Sequence, residues 1–205
     1  IVNTNGRAQS LERTLESFKA LDYPRFEVCV VVGPTRDGSQ ELAQRYADAG
    51  HIKYRDCDEL NLSKSRNIGI AMAAGDVIAF IDDDGIPEPE WLSDLAAPYA
   101  SPDIVGVGGC TYDHTGYTFQ ARFMVCDRFG NAELMADDPN SIEYCYPLAT
   151  KYAGLLGTNS SFRRSAVVAI GGFDEEYEYY LDETDLCVRL IDRGGLIKQL
   201  PRAFV

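Results

Sequence analysis

Three consecutive carboxylates, Asp82, Asp83 and Asp84, followed at once by Gly85, are the densest chemistry in the chain. At 4 Å and an effective dielectric of ~20, each like-charged pair repels by about 4 kcal/mol, so solvent, cationic side chains or a metal must offset the cost. An Asp-Gly turn accounts for one or two acids after a strand. Three acids at the carboxyl end of an apolar run point instead to a hard divalent cation, Mn2+ or Mg2+, held by oxygen ligands. A second acidic group, Asp182, Glu183 and Asp185, opens a helical pattern. Capping and the positive helix end account for those acids without further chemistry.

These side chains sit in a chain of 205 residues with a formal net charge of −13. That balance argues against nucleic acid as the main partner, because a phosphate backbone needs a basic footprint. It also disfavours unaided docking on an anionic membrane. A diphosphate would approach Asp82, Asp83 and Asp84 only where a cation bridges them, and the same cation would neutralise a departing nucleoside diphosphate. A hydrophobic share of 45% is enough to build a core. No apolar run approaches the ~18 residues of a membrane span, and no signal peptide opens the chain. The opening on Ile1, inside a strand-like stretch, reads as a chain trimmed at both ends. A cytoplasmic location is expected, membrane-peripheral only through parts outside these residues. Cys29, Cys57, Cys110, Cys126, Cys145 and Cys187 form no CxxC pair and read as reduced, mostly buried thiols rather than as a zinc site.

The elements that must position the acids follow from periodicity. Residues 1–3 read as a strand, and Leu11, Leu15 and Phe18 lie on one helical face. Residues 27–32 (EVCVVV) read as a buried strand. Ser39 is placed to cap a helix carrying Leu42, Ala43 and Tyr46 and ending near Gly50. A short strand at 52–54 and a helix over 63–74 follow, and then 77–81 (VIAFI), which delivers the three acids. Pro89 opens a helix bearing Trp91, Leu92 and Leu95. Residues 111–153 show weak periodicity. Order returns at 157–163 and in a final helix from Asp182 to about Asp192. Strands without alternation, separated by helices, imply an α/β fold with a mostly parallel sheet covered on both faces. Its ligands are expected at the carboxyl ends of the strands.

The step FIDDDGIPEPEW resembles the DxD region of family 2 glycosyltransferases of the GT-A fold, and NLSKSRNIGIAMAAGDVIAFIDDD is similar to the run that leads into it. The opening NTNGR, the stretch GTNSSFRRSAVVAIGGFDE and the block DETDLCVRLIDRGG resemble further family segments in the expected order. Each is weak alone, and the ordered set covers nearly the whole chain. The resemblance implies a Rossmann-like, GT-A type sheet in a single domain. Residues 1–110 would form the donor half, and residues 111–205 the irregular half with acceptor and base. It implies an inverting transferase that moves a sugar from a nucleoside-diphosphate-sugar to a hydroxyl of a saccharide or lipid-linked saccharide, assisted by Mn2+ or Mg2+ and serving polysaccharide biosynthesis.

Residue by residue, the resemblance implies Asp82 near the donor ribose, Asp84 with Asp82 at the metal, and Asp83 as the variable middle position. Thr4, Asn5 and Arg7 would meet the nucleoside, and Arg66 the donor phosphates. Lys64 is either a second cation there or an exposed helical charge. Asp37 matches the Asp-Gly-Ser part of a pattern whose preceding acid pair is replaced by Gly33 and Pro34, so uridine, guanosine and thymidine all stay open. The family's Glu-Asp pair is reversed to Asp-Glu, which puts Glu183 at the base position with Asp182 as the alternative. Asn159, Gly172, Phe173 and Asp174 would frame the acceptor. Trp91, Tyr177, Tyr179 and Tyr180 read either as sugar-stacking or as packing aromatics. A metal ligand that the family places beyond its last strand has no counterpart, and His51 and His114 read as surface residues. Two alternatives remain: an aspartyl phosphatase-like hydrolase, and a non-catalytic carbohydrate- or Ca2+-binding module.

Overall fold

The apolar runs become strands and the amphipathic runs between them helices. In the computed structural model, which describes residues 1–205, the first half contains β1 (Val2–Thr4), α1 (Ala8–Ser17), β2 (Cys29–Val32), α2 (Ser39–Asp48), β3 (Lys53–Asp56), α3 (Leu62–Met72), β4 (Val77–Asp82), α4 (Trp91–Ala96) and β5 (Ile104–Gly108). The second half adds β6 (Thr111–Tyr112), β7 (Phe119–Ala121), β8 (Phe123–Cys126), β9 (Ala132–Met135), β10 (Tyr152–Ala153), β11 (Asn159–Arg163), α5 (Arg164–Ala169), α6 (Asp182–Asp192) and β12 (Leu196–Gln199).

Seven strands form the central sheet in the order β12-β5-β11-β4-β1-β2-β3. β1 runs parallel between β2 and β4, with Val2 opposite both Val30 and Ile81. β2 and β3 are also parallel, so Thr4, Val32, Asp56 and Asp82 all finish at one edge of the sheet. The mostly parallel sheet carries one reversal: β11 is antiparallel to both β4 and β5. Asn159, the first residue of β11, therefore pairs with Ile81, and the loop entering β11 arrives beside the acids.

Two apolar layers cover the sheet. On one side Ile78 and Phe80 of β4 pack with Ile70 of α3, Val167 of α5 and Leu186 and Leu190 of α6. On the other, Ile81 packs with Leu11 of α1, Leu42 of α2 and Trp91 of α4. A strand buried on both faces has no polar face to alternate with, which is why 77–81 reads as continuous apolar sequence. α3 begins at Leu62, one residue before the expected Ser63, because the Asn61 side chain caps it by accepting from the Lys64 amide at 2.8 Å. A Cβ at Gly69 would collide with Ile1, so glycine lets α3 lie close against β1.

Residues 111–153, which read as irregular, contain the β6–β7 hairpin and a separate antiparallel sheet ordered β10-β8-β9. Strands of two to four residues are too short to print a period. All six cysteines are buried and free. No helix is long and apolar enough to cross a membrane.

Phe162, fully buried on β11, meets the Phe80 ring edge-on at 6.3 Å between centroids. Phe162→Ala is expected to lower unfolding stability by about 3–5 kcal/mol, read as a fall in the urea midpoint.

Candidate active site

The three acids part at the end of β4: Asp82 is its last residue, and Asp83 and Asp84 lie in the turn that the Gly85 amide closes on the Asp82 oxygen. Asp83 turns inward and is 4% exposed. Its carboxylate accepts from the Thr4 hydroxyl and, at 2.8 Å, from Arg7 Nη1, while its backbone oxygen accepts from the Thr14 hydroxyl at 2.9 Å. Arg7 Nη1 also donates to Asp84 Oδ2 at 2.8 Å. One guanidinium thus bridges two of the three carboxylates and offsets part of their repulsion. Asp82 and Asp84 remain exposed at the sheet edge. Desolvation by the surrounding protein raises the proton affinity of Asp82, opposed by the charge of Arg66 and a hydrogen bond with Thr158. No three His, Cys, Asp or Glu side chains are grouped to hold a metal by themselves.

A second cluster lies across from the first. Leu181, in the left-handed region at φ 69°, precedes α6 and contributes no side-chain cap, so Asp182 enters the first helical turn rather than capping it. Asp182 is fully buried and pairs with Nη1 of Arg66, whose side chain is 5% exposed. The guanidinium lies over the rings of Phe80 and Phe173, at 5.7 and 5.2 Å from their centroids. Its Nη2 abuts Gly157, where any Cβ would collide with it. Glu183 Oε2 is 3.5 Å from the same Nη1, and its side chain is 23% exposed. Desolvation, then the adjoining Asp182 carboxyl, push the Glu183 carboxyl up to about 7, with the Arg66 charge opposing. Asp185 is held by Arg189 one turn along the helix, at 2.7 Å.

Other residues singled out by sequence have inward-facing roles. Arg66, expected along donor phosphates, has its guanidinium turned to Asp182 and Glu183. Asp37 accepts from the Ala8 amide, the Ser39 amide and hydroxyl and the Thr35 hydroxyl, knitting the starts of α1 and α2. Against its own desolvation, those bonds hold Asp37 down at about 2. Lys64 is held by Asp58 at 2.9 Å and Glu59 at 2.5 Å. Asn5 packs beside Gly33 at the end of β2. The Asn67 side chain brackets the loop after Gly172: it donates to the Phe173 oxygen and Glu175 Oε1 and accepts from the Phe173 amide, each at 2.9 Å. Phe173 is 3% exposed and supports Arg66 rather than facing the cleft. Asp174 accepts from the Glu176 amide in an exposed turn. Asn159 is fully buried; it accepts from Trp91 Nε1 at 2.9 Å and donates to the oxygens of Cys110 and Ala203 at 2.9 and 2.8 Å. Those bonds occupy Asn159 internally and settle Trp91 as a packing residue. Tyr179 and Tyr180 are exposed beside α6. Thr14 and Thr158 escaped sequence reading because a lone threonine carries no pattern until the fold sets it against Asp83 or Asp82.

The profile described as glycosyl transferase family 2 matches residues 1–170. Among curated proteins, the glucosyl-dolichyl phosphate glucuronosyltransferase of Haloferax volcanii is 28% identical over an alignment covering 92% of this chain and 61% of its own. A mannosyltransferase of Pyrobaculum calidifontis, solved with GDP-Man and Mn2+, superposes with TM-score 0.73 at 18% identity, covering 99% of this chain and 54% of that one. TarS of S. aureus (residues 1–349), solved with UDP-GlcNAc, superposes with TM-score 0.65 at 19% identity, covering all of this chain and 56% of that one. The likeness in fold is therefore to GT-A glycosyltransferases. The chain spans about three fifths of that curated relative and little more than half of those solved chains.

Asn159→Ala leaves Trp91 Nε1 and the Ala203 carbonyl without partners, while the Cys110 carbonyl keeps the Val205 amide. It is expected to cost at least about 2 kcal/mol, since each orphaned buried group costs ~1–3 kcal/mol. Chemical denaturation against wild type checks it.

Proposed function

The chain belongs to glycosyl transferase family 2, and from that premise we propose that it transfers a sugar from a nucleoside-diphosphate-sugar to a hydroxyl of a saccharide or lipid-linked saccharide acceptor, with inversion and with divalent-metal assistance. The observation that carries the reading is Arg66. Its charge acts on Asp82 at the end of β4, and its Nη1 lies 3.5 Å from Glu183 on α6. Asp82 and Glu183, a carboxylate of near-neutral proton affinity, are therefore both under the influence of one guanidinium.

Asp82 and Asp84 offer two hard oxygen donors, which fit Mn2+ or Mg2+ if diphosphate oxygens and water complete the shell. The bound cation would supply Lewis-acid neutralisation of the departing diphosphate. Thr4 and Arg7 keep Asp83 out of that shell by holding it inside. Glu183 accepts the proton of the acceptor hydroxyl as that oxygen attacks the anomeric carbon, and a single displacement inverts the centre. No second carboxylic acid is needed, because a diphosphate leaves without a proton. The named relatives support the donor class: one neighbour binds GDP-Man with Mn2+, another UDP-GlcNAc, and the curated relative is named for a dolichyl phosphate substrate. The loop-rich residues 111–153 would shape the acceptor side, in keeping with polysaccharide or glycolipid assembly at the cytoplasmic side of a membrane.

Thermal unfolding with UDP, GDP, TDP or CMP, with and without Mn2+, tests the donor site. One nucleoside diphosphate is expected to stabilise the protein only together with metal, by roughly 2.7 kcal/mol at about 100 times its Kd, and the shift should vanish in Asp84→Ala. Stabilisation without metal, or by none of the four, counts against it. Glu183→Gln should keep that shift while transfer falls by about 10²–10⁴-fold. In wild type, kcat should rise with pH through about 7, because Glu183 must be ionised to accept a proton. A flat profile from pH 5 to 9 would remove Glu183 from the base role.

A further inference from the structure

Asp182 has an unusual environment for a carboxylate. Arg66 Nη1 takes one oxygen, but Oδ1 is buried with no hydrogen-bond partner. A buried acceptor without a partner carries a desolvation penalty, which a proton delivered during function would relieve. The neighbouring proton carrier is Glu183, whose carboxylate shares Arg66 Nη1 with that of Asp182. Arg66 is confined beside the pair, because the Phe80 and Phe173 rings flank its guanidinium and Gly157 closes on Nη2.

The charged and titratable groups facing Glu183 are few. Arg66 comes from α3 and Asp182 from α6 itself. The thiols of Cys126 on β8 and Cys187 on α6 also face it, both pushed up by burial and hence neutral. Asp82 lies beyond Arg66.

We propose that Asp182 is a positioning residue whose free Oδ1 accepts the hydrogen of protonated Glu183, holding the proton taken from the acceptor, while Arg66 is the counter-charge that pairs with its other oxygen. This rests on the reading of Glu183 as base and deepens it. In the step, the acceptor O–H bond breaks and its oxygen bonds to the anomeric carbon. The carbon–oxygen bond to the diphosphate breaks, and its electron pair leaves with the diphosphate. The proton ends on Glu183, donated to Asp182 Oδ1, and later passes to water through the 23% of the Glu183 side chain that stays exposed. Asp182 is 0% exposed, so it meets no acceptor hydroxyl and acts only through Glu183.

The test is the pH profile of kcat, with donor KM, for Asp182→Asn, Arg66→Gln and the double variant. A charge within ~4–6 Å moves a carboxyl by about one to three units. Asp182→Asn removes the anion, so the acid limb should move down by about one unit or more, kcat should fall at least about tenfold, and donor KM should stay within about twofold. Arg66→Gln removes the cation, so the limb should move up. The double variant should bring the limb back near wild type with kcat still reduced. Unmoved limbs in both single variants, with Glu183→Gln inactive, overturn the role of Asp182 and leave the base reading standing. An active Glu183→Gln overturns the base reading itself. Because unpairing Arg66 can unfold the protein, wild type supplies a second measurement. The infrared carbonyl band of neutral Glu183, identified by its loss in Glu183→Gln, should lie at a hydrogen-bonded frequency. A free-carboxyl frequency overturns the proposal.

Discussion

The buried pair of Arg66 and Asp182 is the constraint on which the site depends. Its partners come from distant parts of the chain: α3 supplies the cation, α6 the anion, β4 and the loop after Gly172 the two rings, and the approach to β11 the glycine wall. Removing two such charges from water costs several kcal/mol per ion, so the pair adds little net stability. Its contribution is positional. Losing either partner would strand a buried charge at a cost of about 3–5 kcal/mol, and the two halves of the molecule are therefore held in one register. Glu183 follows Asp182 directly and inherits its place from that register.

The same sorting of neighbouring acids occurs twice. At the end of β4, Asp83 goes inside to Thr4 and Arg7 while Asp82 and Asp84 stay at the edge. At the start of α6, Asp182 goes inside to Arg66 while Glu183 faces partly outward. The turn after β4 separates the first set and helical rotation the second. In each case one carboxylate organises the local structure and its neighbour is left available. This explains how a chain of net charge −13 tolerates such density: guanidinium groups pair with the inner acids, Arg7 reaching Asp84 as well, and the outer acids remain in contact with water.

The reversed strand β11 links these clusters. Because it runs antiparallel beside β4, its entry places Thr158 against Asp82 and Gly157 against Arg66. Asn159 then locks that entry by bonding Trp91 and the oxygens of Cys110 and Ala203. Glycine at 157 is required by close approach, since even a methyl group would displace the guanidinium.

Sequence alone determined the parallel frame and the location of the acids. Doubly buried strands need continuous apolar runs, as in CVVV and VIAFI, and an acidic run at a strand's carboxyl end is local information. The block DETDLCVRLID likewise marked the last helix at its observed limits. What only tertiary structure decided is which acid faces which way and what each polar side chain is bonded to. Arg66 read as a phosphate ligand, Asn159 and Phe173 as acceptor contacts, and Asp182 as a possible cap or base. Each proved to be engaged inside the protein by residues up to 116 positions away. A side chain's partner across such a separation is set by strand order, by the reversal of β11 and by packing against rings and glycines. None of these leaves a periodic trace near the residue itself.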